Sequence, residues 1–398
     1  MLSRRRFLQT TTGGLVTSLA ASGASFASAP TDNRLIFVFL RGGLDGLHTL
    51  APFADPDYHR LRPVIGLEAS QAGTDGPGAV SLDGYFGLNK ALAPLLPLYQ
   101  AGELSFLPAT ATRYRSRSHF DGQNMLENGS GQPYGADDGW LNRAILGLNA
   151  GDHRLGLALG PAVPLILQGQ AEVQTWDDSA LPEVDDDFLV RLMQMYRSDP
   201  LFLDTLHDAT GALKPDVNMT DFGNLPRLGR NFSLSARVAA DLLAHAQGPR
   251  IAVMELGGWD THFGQDNRLR RLLGFVSEGL LELKRGLAEN WNRTTVVVVS
   301  EFGRTAAENA SRGTDHGTGG IAMLAGGAVA GGRIAGDWPG LTTKALYKER
   351  DLRPVNSLES LFKTLLVGHL GLDQGFVEDR VFPGSVALQP MDGLLRKI

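Results

Sequence analysis

Leu35-Ile36-Phe37-Val38-Phe39-Leu40-Arg41-Gly42-Gly43-Leu44-Asp45-Gly46 is the stretch that decides the fold. Its first six residues are apolar without interruption, and four of them are β-branched or aromatic. The run is too short for a helix and lacks the polar alternation of a half-exposed strand, so it predicts a strand buried on both faces. It ends abruptly in a charged loop with paired glycines. Four further runs read the same way, at residues 104–107, 251–254, 294–299 and 321–324. Segments of helical period lie between them, at 91–101, 120–128, 140–148, 188–196, 234–245, 269–289 and 358–370. Alternating strands and helices predict an α/β fold, a mostly parallel sheet with helices on both faces. The Gly/Pro/Asp-rich stretches 68–84 and 214–231 are expected as excursions from a single domain spanning 30–398, and there is no internal repeat.

The polar residues capable of chemistry fall just after the strands. The first strand leads to Arg41-Gly42-Gly43-Leu44-Asp45-Gly46, the second to Arg113-Tyr114-Arg115-Ser116-Arg117-Ser118-His119-Phe120-Asp121, the third to Gly257-Gly258-Trp259-Asp260-Thr261-His262 and the fourth to Ser300-Glu301-Phe302-Gly303-Arg304-Thr305. A fifth cluster, Thr314-Asp315-His316-Gly317, precedes the last strand. In open parallel sheets the carboxyl ends of the strands share one edge, where ligands bind. Asp45, Asp260, His262, Glu301, Asp315 and His316 would then meet as a carboxylate-rich donor set suited to Zn, Mn or Mg, and an excess of carboxylates favours a two-metal hydrolytic centre. Any single pair, such as Asp260 with His262, reads equally as loop residues satisfying a turn.

Ser118 is the candidate nucleophile, because it opens a helix whose first N–H groups and dipole favour an anion. It also fits a plain N-cap, with Asp121 three residues on. Arg113, Arg115 and Arg117 either grip an anion bidentately or line a solvated loop. His119 reads as a ligand, a general acid or a structural hydrogen-bonder. The remaining histidines, His48, His59, His153, His207, His245 and His369, read as structural.

Composition narrows the classes. With no cysteine, thiolate zinc sites, iron–sulfur clusters, disulfide scaffolds and a cysteine nucleophile are excluded. A formal charge of −6, without massed Lys or Arg, excludes the basic footprint of a nucleic-acid binder. The motifs GxGxxG after a strand, GxxxxGK[ST] and GxSxG are missing, so dinucleotide, P-loop and ordinary α/β-hydrolase chemistries lack their signatures.

Ser3-Arg4-Arg5-Arg6-Phe7-Leu8-Gln9, followed by an uncharged Gly/Ala/Ser/Thr-rich stretch and Ala27-Ser28-Ala29, reads as a twin-arginine signal peptide over residues 1–29. Cleavage after Ala29 would leave Pro30 first, so a cut after Ala27 or an uncleaved anchor are alternatives. No other window offers the ~20 uninterrupted apolar residues of a membrane span. The expected product is a periplasmic or extracytoplasmic protein whose first partner is the twin-arginine translocation machinery.

The ordered motifs Phe37 to Gly46, Ser118-His119-Phe120-Asp121, Gly139-Trp140-Leu141, Gly258-Trp259-Asp260-Thr261-His262, Ser300 to Thr305 and Asp315-His316-Gly317 resemble the bacterial family called domain of unknown function 1501. That family is grouped with the alkaline phosphatase and sulfatase superfamily, so the resemblance implies an alkaline-phosphatase-like sheet and divalent metal. By the same resemblance Asp45 looks like the first-strand metal Asp, Ser118 the nucleophile, Asp260 with His262 the Asp/His pair of one metal, and His316 the late His. Phe302 stands where the superfamily places a His, and Glu301 where it places an Asp. Two expectations follow. One is an exported metal-dependent hydrolase of small anionic phosphate or sulfate esters, with Ser118, His119 and Arg117 in its catalytic apparatus. The other is a non-catalytic exported protein with a degenerate metal site, which binds an exported protein partner.

Overall fold

The computed structural model describes residues 31–70, 76–148, 154–178, 195–196, 199 and 226–396. Twelve strands lie among the described residues. They are β1 (Arg34–Arg41), β2 (Leu50–Ala51), β3 (Ala79–Ser81), β4 (Gly87–Asn89), β5 (Leu104–Ala111), β6 (Gly156–Leu159), β7 (Val173–Trp176), β8 (Ile251–Gly257), β9 (Thr294–Val299), β10 (Gly320–Ala325), β11 (Arg333–Ile334) and β12 (Asn356–Ser357). Nine of them form one sheet in the order β11-β5-β10-β9-β1-β8-β6-β7, with β12 also on β5, while β2, β4 and β3 make a small separate sheet. The described α-helices of six residues or more are α1 (His119–Asn128), α2 (Trp140–Gly147), α3 (Arg227–Ala244), α4 (Gln265–Leu287) and α5 (Leu358–Lys363).

The apolar run of β1 sits mid-sheet, parallel to β8 on one side and β9 on the other. Its alternate residues serve two cores. Ile36, Val38 and Leu40 pack with α3 and α4 residues such as Phe232, Leu242, Leu273 and Leu280. Leu35, Phe37 and Phe39 pack with Leu141, Ile145, Phe362 and Phe382 on the other face. Both faces are therefore covered, which explains why the run shows no alternation. Each fully buried Leu, Ile or Phe here contributes about 1.5–3 kcal/mol of transfer free energy.

One strand departs from the parallel expectation. β10 runs antiparallel to both neighbours, β5 and β9. Gly320 stands opposite Thr110 near the carboxyl end of β5. The loop that precedes β10 therefore reaches the same edge as the loops that follow β1, β5, β8 and β9. Elsewhere the pattern shifts locally. Residues 90–95 form a 3-10 turn containing Pro94 before a short α-helix at Leu96–Gln100. α3 starts at Arg227 and so takes in the end of the expected 214–231 excursion, and α5 passes into a π-helical turn at Thr364–His369. The expected signal segment 1–29 and residues 188–194 of the expected helix lie outside the described residues.

Candidate metal centre

Register fixes where the polar clusters begin. Arg41 pairs with Gly257 and Phe39 with Val299, so the residues that follow β1, β8 and β9 leave the sheet side by side. Gly42 brings the first loop against the third. Its φ is +125, and a Cβ there would stand 2.7 Å from the backbone nitrogen of Asp260. Only glycine lets the first loop lie against the third at this point.

Four side chains meet above this crossing. Asp260 Oδ1 lies 3.0 Å from His262 Nε2 and 3.1 Å from His316 Nε2, and 3.6 Å from His119 Nε2. His316 Nε2 in turn lies 3.0 Å from His119 Nε2 and 3.1 Å from His262 Nε2. The ligand atoms of His119, Asp260 and His316 all fall within 4.8 Å of one another. Asp260 and His316 thus form a shared edge, with His119 on one side and His262 on the other.

The outer nitrogens settle the tautomers. His119 Nδ1 is 2.7 Å from Glu301 Oε1, His262 Nδ1 is 3.2 Å from Asp315 Oδ1, and His316 Nδ1 is 3.0 Å from the Arg117 carbonyl. All three acceptors only accept, so each Nδ1 carries hydrogen, and each ring in its neutral form turns an Nε2 lone pair inward. Lone pairs about 3 Å apart repel one another. A proton can relieve one such contact, whereas a divalent cation relieves all of them. Imidazoles whose outer N–H groups are held by carboxylates or carbonyls are the usual surroundings of a metal. Three nitrogens with one carboxylate oxygen suit zinc better than magnesium, which prefers an all-oxygen shell.

The charges agree. Burial alone would raise the Asp260 carboxyl, but Arg304, donating to its Oδ1 at 2.6 Å, and His316 hold it down at about 2. Burial likewise opposes ionisation of Glu301, yet hydrogen bonds from His119 and Gln123 keep it below the usual carboxylate range. Asn309 and His262 lower Asp315. Burial and the neighbouring His119 and Arg304 depress His316 and favour its neutral, ligating form.

The structure separates the residues singled out from the sequence. Asp260, His262 and His316 converge, and His119 joins them. Glu301 and Asp315 stand one layer back as acceptors for His119 and His262; Glu301 also accepts from the Gly42 N–H at 2.9 Å and from Gln123 at 3.0 Å. Asp45 is elsewhere. It forms a fully buried ion pair with Arg62 at 2.8 Å, accepts from Gln265 and caps the turn at His48, so its charge is already neutralised. With Asp45 withdrawn and both outer carboxylates facing away, the expected carboxylate-rich two-metal set reduces to one cluster among the described residues.

Ser118 occupies the N-cap position of α1, but its side chain makes no capping bond. The arginines are all engaged. Arg113 pairs with Glu359, Arg115 donates to the Thr112 and Tyr114 carbonyls, and Arg117 pairs with Asp351 at 2.7 Å. None of the three extends free to grip an anion. Phe302 is not a vacated ligand position, because its ring packs against His119 at 4.8 Å and His316 at 5.3 Å, walling both imidazoles. Arg304 went unassigned in the sequence, although its position after β9 beside Glu301 was a signal. It is buried and also donates to the carbonyls of Gly42, Gly43, Trp259 and Thr314.

Among solved structures, the chain is similar to Ps i-CgsB in complex with k-i-k-neocarrahexaose (12% identity, 90% of this chain and 77% of that one, TM-score 0.43). It is also similar to the lipoteichoic acid synthase LtaP from Listeria monocytogenes (12%, 90% and 78%, TM-score 0.39) and to alkaline phosphatase from the Antarctic bacterium TAB5 (11%, 75% and 92%, TM-score 0.35). No curated protein matches the sequence. No described helix is long and apolar enough to cross a membrane. Residues 108–380, which carry His119, Asp260, His262 and His316, match the model of the family described as "Protein of unknown function (DUF1501)", and the chain belongs to that family.

Proposed function

We propose that this protein is a metal-dependent hydrolase of phosphate or sulfate esters, exported through the twin-arginine pathway and working in the periplasm. The observation that carries the reading is the convergence of three imidazole lone pairs on the Asp260 carboxylate, each imidazole locked from behind. His119, Asp260 and His316 would hold the cation, with His262 as a further donor, and zinc suits this set best. A cation bound there supplies Lewis-acid charge to the oxygens of an anionic ester. The first N–H groups of α1 beside it offer the same anion a second electropositive contact.

In this reading Ser118 is the nucleophile. Its position directly before His119, with an Oγ not spent on capping, supports the role. Its oxygen would attack the phosphorus or sulfur centre as the alcohol leaves, and water would then free the serine. Arg117 acts through its carbonyl, which orients His316, rather than through its guanidinium.

Metal analysis of protein purified after native export, followed by assay on aryl phosphate and sulfate esters, tests the proposal. We expect about one divalent ion per chain, less in His262→Ala and least in His316→Ala, and turnover that disappears in Ser118→Ala and Ser118→Asp. Equal metal content in parent and both histidine variants overturns the centre. Metal without turnover on any ester turns the reading to binding of an exported protein partner.

A further inference from the structure

His316 is the donor that touches every other member of the cluster, so whatever aims it governs the site. Its Nδ1 is held by the Arg117 carbonyl at 3.0 Å, and its own carbonyl accepts from Arg350 Nη1 at 3.0 Å. Arg117 is an unusual residue to supply that carbonyl, because its φ is +67, in the left-handed region that non-glycine residues avoid. Such a conformation persists only where surrounding contacts over-determine it.

Those contacts run to one carboxylate. Asp351 has a fully buried side chain. Its Oδ2 accepts from Arg117 Nε at 2.8 Å and Nη2 at 2.7 Å, and its Oδ1 accepts from Arg350 Nη1 at 2.7 Å. Asp351 therefore ties together the two residues that grip His316 from either side. It is also bridged to Thr305, and His316 to Arg304, so the tie sits on the backbone of both site loops.

We propose that Asp351 is a positioning residue for the metal centre. By clamping Arg117 and Arg350 it holds the strained Arg117 carbonyl against His316 Nδ1 and so fixes the tautomer and aim of His316 Nε2. The inference rests on the metal-centre reading, but it makes a separate claim about which distant group orients the ligand. A buried ion pair of purely structural value would make a different showing, and Asp45 with Arg62 supplies that comparison. Its carboxylate is as buried as that of Asp351, close to the same sheet edge, and outside the metal centre.

Cobalt(II) added to metal-free full-length protein, followed by its visible absorption, tests the claim. Asp351→Asn should weaken cobalt binding about 10- to 100-fold, the usual effect of removing an outer partner of a ligand, and alter the band shape. Asp45→Asn should lower the melting temperature and leave cobalt affinity within a few fold of the parent. Arg350→Gln, which removes only half of the clamp at a partly exposed residue, should fall between the parent and Asp351→Asn and serves if Asp351→Asn does not fold. Parent-like affinity and spectrum in Asp351→Asn and Arg350→Gln, or an equal loss in Asp45→Asn, would overturn the proposal. If the parent itself binds no cobalt, the metal reading fails, and nitrogen-15 NMR of the His316 ring still decides this one. A single Nδ1–H tautomer in the parent that becomes mixed in Asp351→Asn upholds the clamp, and an unchanged tautomer refutes it.

Discussion

Replacing Gly42 by alanine should damage the metal centre by forcing its first loop away from its third. Two costs add. The φ of +125 is a conformation available essentially only to glycine, worth on the order of 1–3 kcal/mol when another residue is forced into it. The new Cβ would also stand 2.7 Å from the nitrogen of Asp260, 3.0 Å from that of Trp259 and 3.1 Å from the Trp259 carbonyl carbon. These are backbone atoms of a packed loop, which cannot swing aside as a side chain does, so overpacking adds about 1–3 kcal/mol. A total of roughly 2–6 kcal/mol corresponds to a fall in melting temperature of roughly 3–8 °C for a domain of this size. The displaced atoms carry Asp260, and the Gly42 N–H donates to Glu301, so both sides of the centre shift. Gly43→Ala should cost less, since its Cβ meets the Phe302 ring at 2.8 Å. Gly84, with φ +87 and nothing within 4 Å of a Cβ, isolates the backbone penalty alone, about 1 kcal/mol. Calorimetry and metal analysis on the three variants read the order directly. If Gly42→Ala matched Gly84→Ala in both melting temperature and metal content, the close approach of the first loop to the third would not be what positions Asp260.

Other outcomes follow from the same geometry. Ser118→Ala should change stability by less than about 0.5 kcal/mol, because no capping bond is lost; a denaturation midpoint clearly lower than the parent's would show a structural role for that hydroxyl. Arg4→Lys combined with Arg5→Lys should trap folded precursor in the cytoplasm, and undiminished periplasmic accumulation would sink the export assignment. His48 is buried, and that burial lowers its pKa from 6.5 to about 4. The unfolded chain therefore takes up its proton first as the solution is acidified. His48 contributes nothing unfavourable above pH 6.5 and destabilises the fold progressively from there down to about pH 4, by up to about 3 kcal/mol. Urea titrations at pH 7.5 and 5 should show a smaller loss in His48→Gln than in the parent, and equal losses would contradict this.

The five long strands were legible because a run buried on both faces must be continuously apolar, and β1 shows this most clearly. β6 and β7 were missed for physical reasons. They are four residues each, and the Val173–Trp176 strand at the sheet edge carries Gln174 and Thr175. The direction of β10 was not legible at all, since an apolar run has no polarity along the chain. At the site, placing Asp260 and His262 required only the rule that strand ends share an edge, whereas His316 precedes β10 and reaches that edge because β10 is reversed. His119 stayed open among three roles because a helix-start histidine looks alike in all of them. Glu301 and Asp315 were indistinguishable from ligands, since a carboxylate behind an imidazole and one beside it leave the same residue types at the same loop. Asp45 needed a partner to be understood, and Arg62 approaches from a short turn that no pattern links to it. Asp351 lies in an irregular segment near the end of the matched family region, and only the fold brings it beneath His316.

The reversed strand has a consequence for how the molecule comes into being. β10 is inserted between β5 and β9, and among the described residues no other strand joins those two. Without it, the described sheet would divide into two parts, one holding β5, β11 and β12 and the other running from β9 through β1 and β8 to β6 and β7. His119 belongs to the first part and Asp260 and His262 to the second, while His316 arrives on the loop that leads into the connecting strand. The pairing of that strand with β5 closes a stretch of roughly two hundred residues, the kind of distant contact that costs loop-closure entropy. The strand that joins the two parts of the sheet thus also brings the last side chain to the candidate metal cluster, so a cation bound there would report that the sheet is complete.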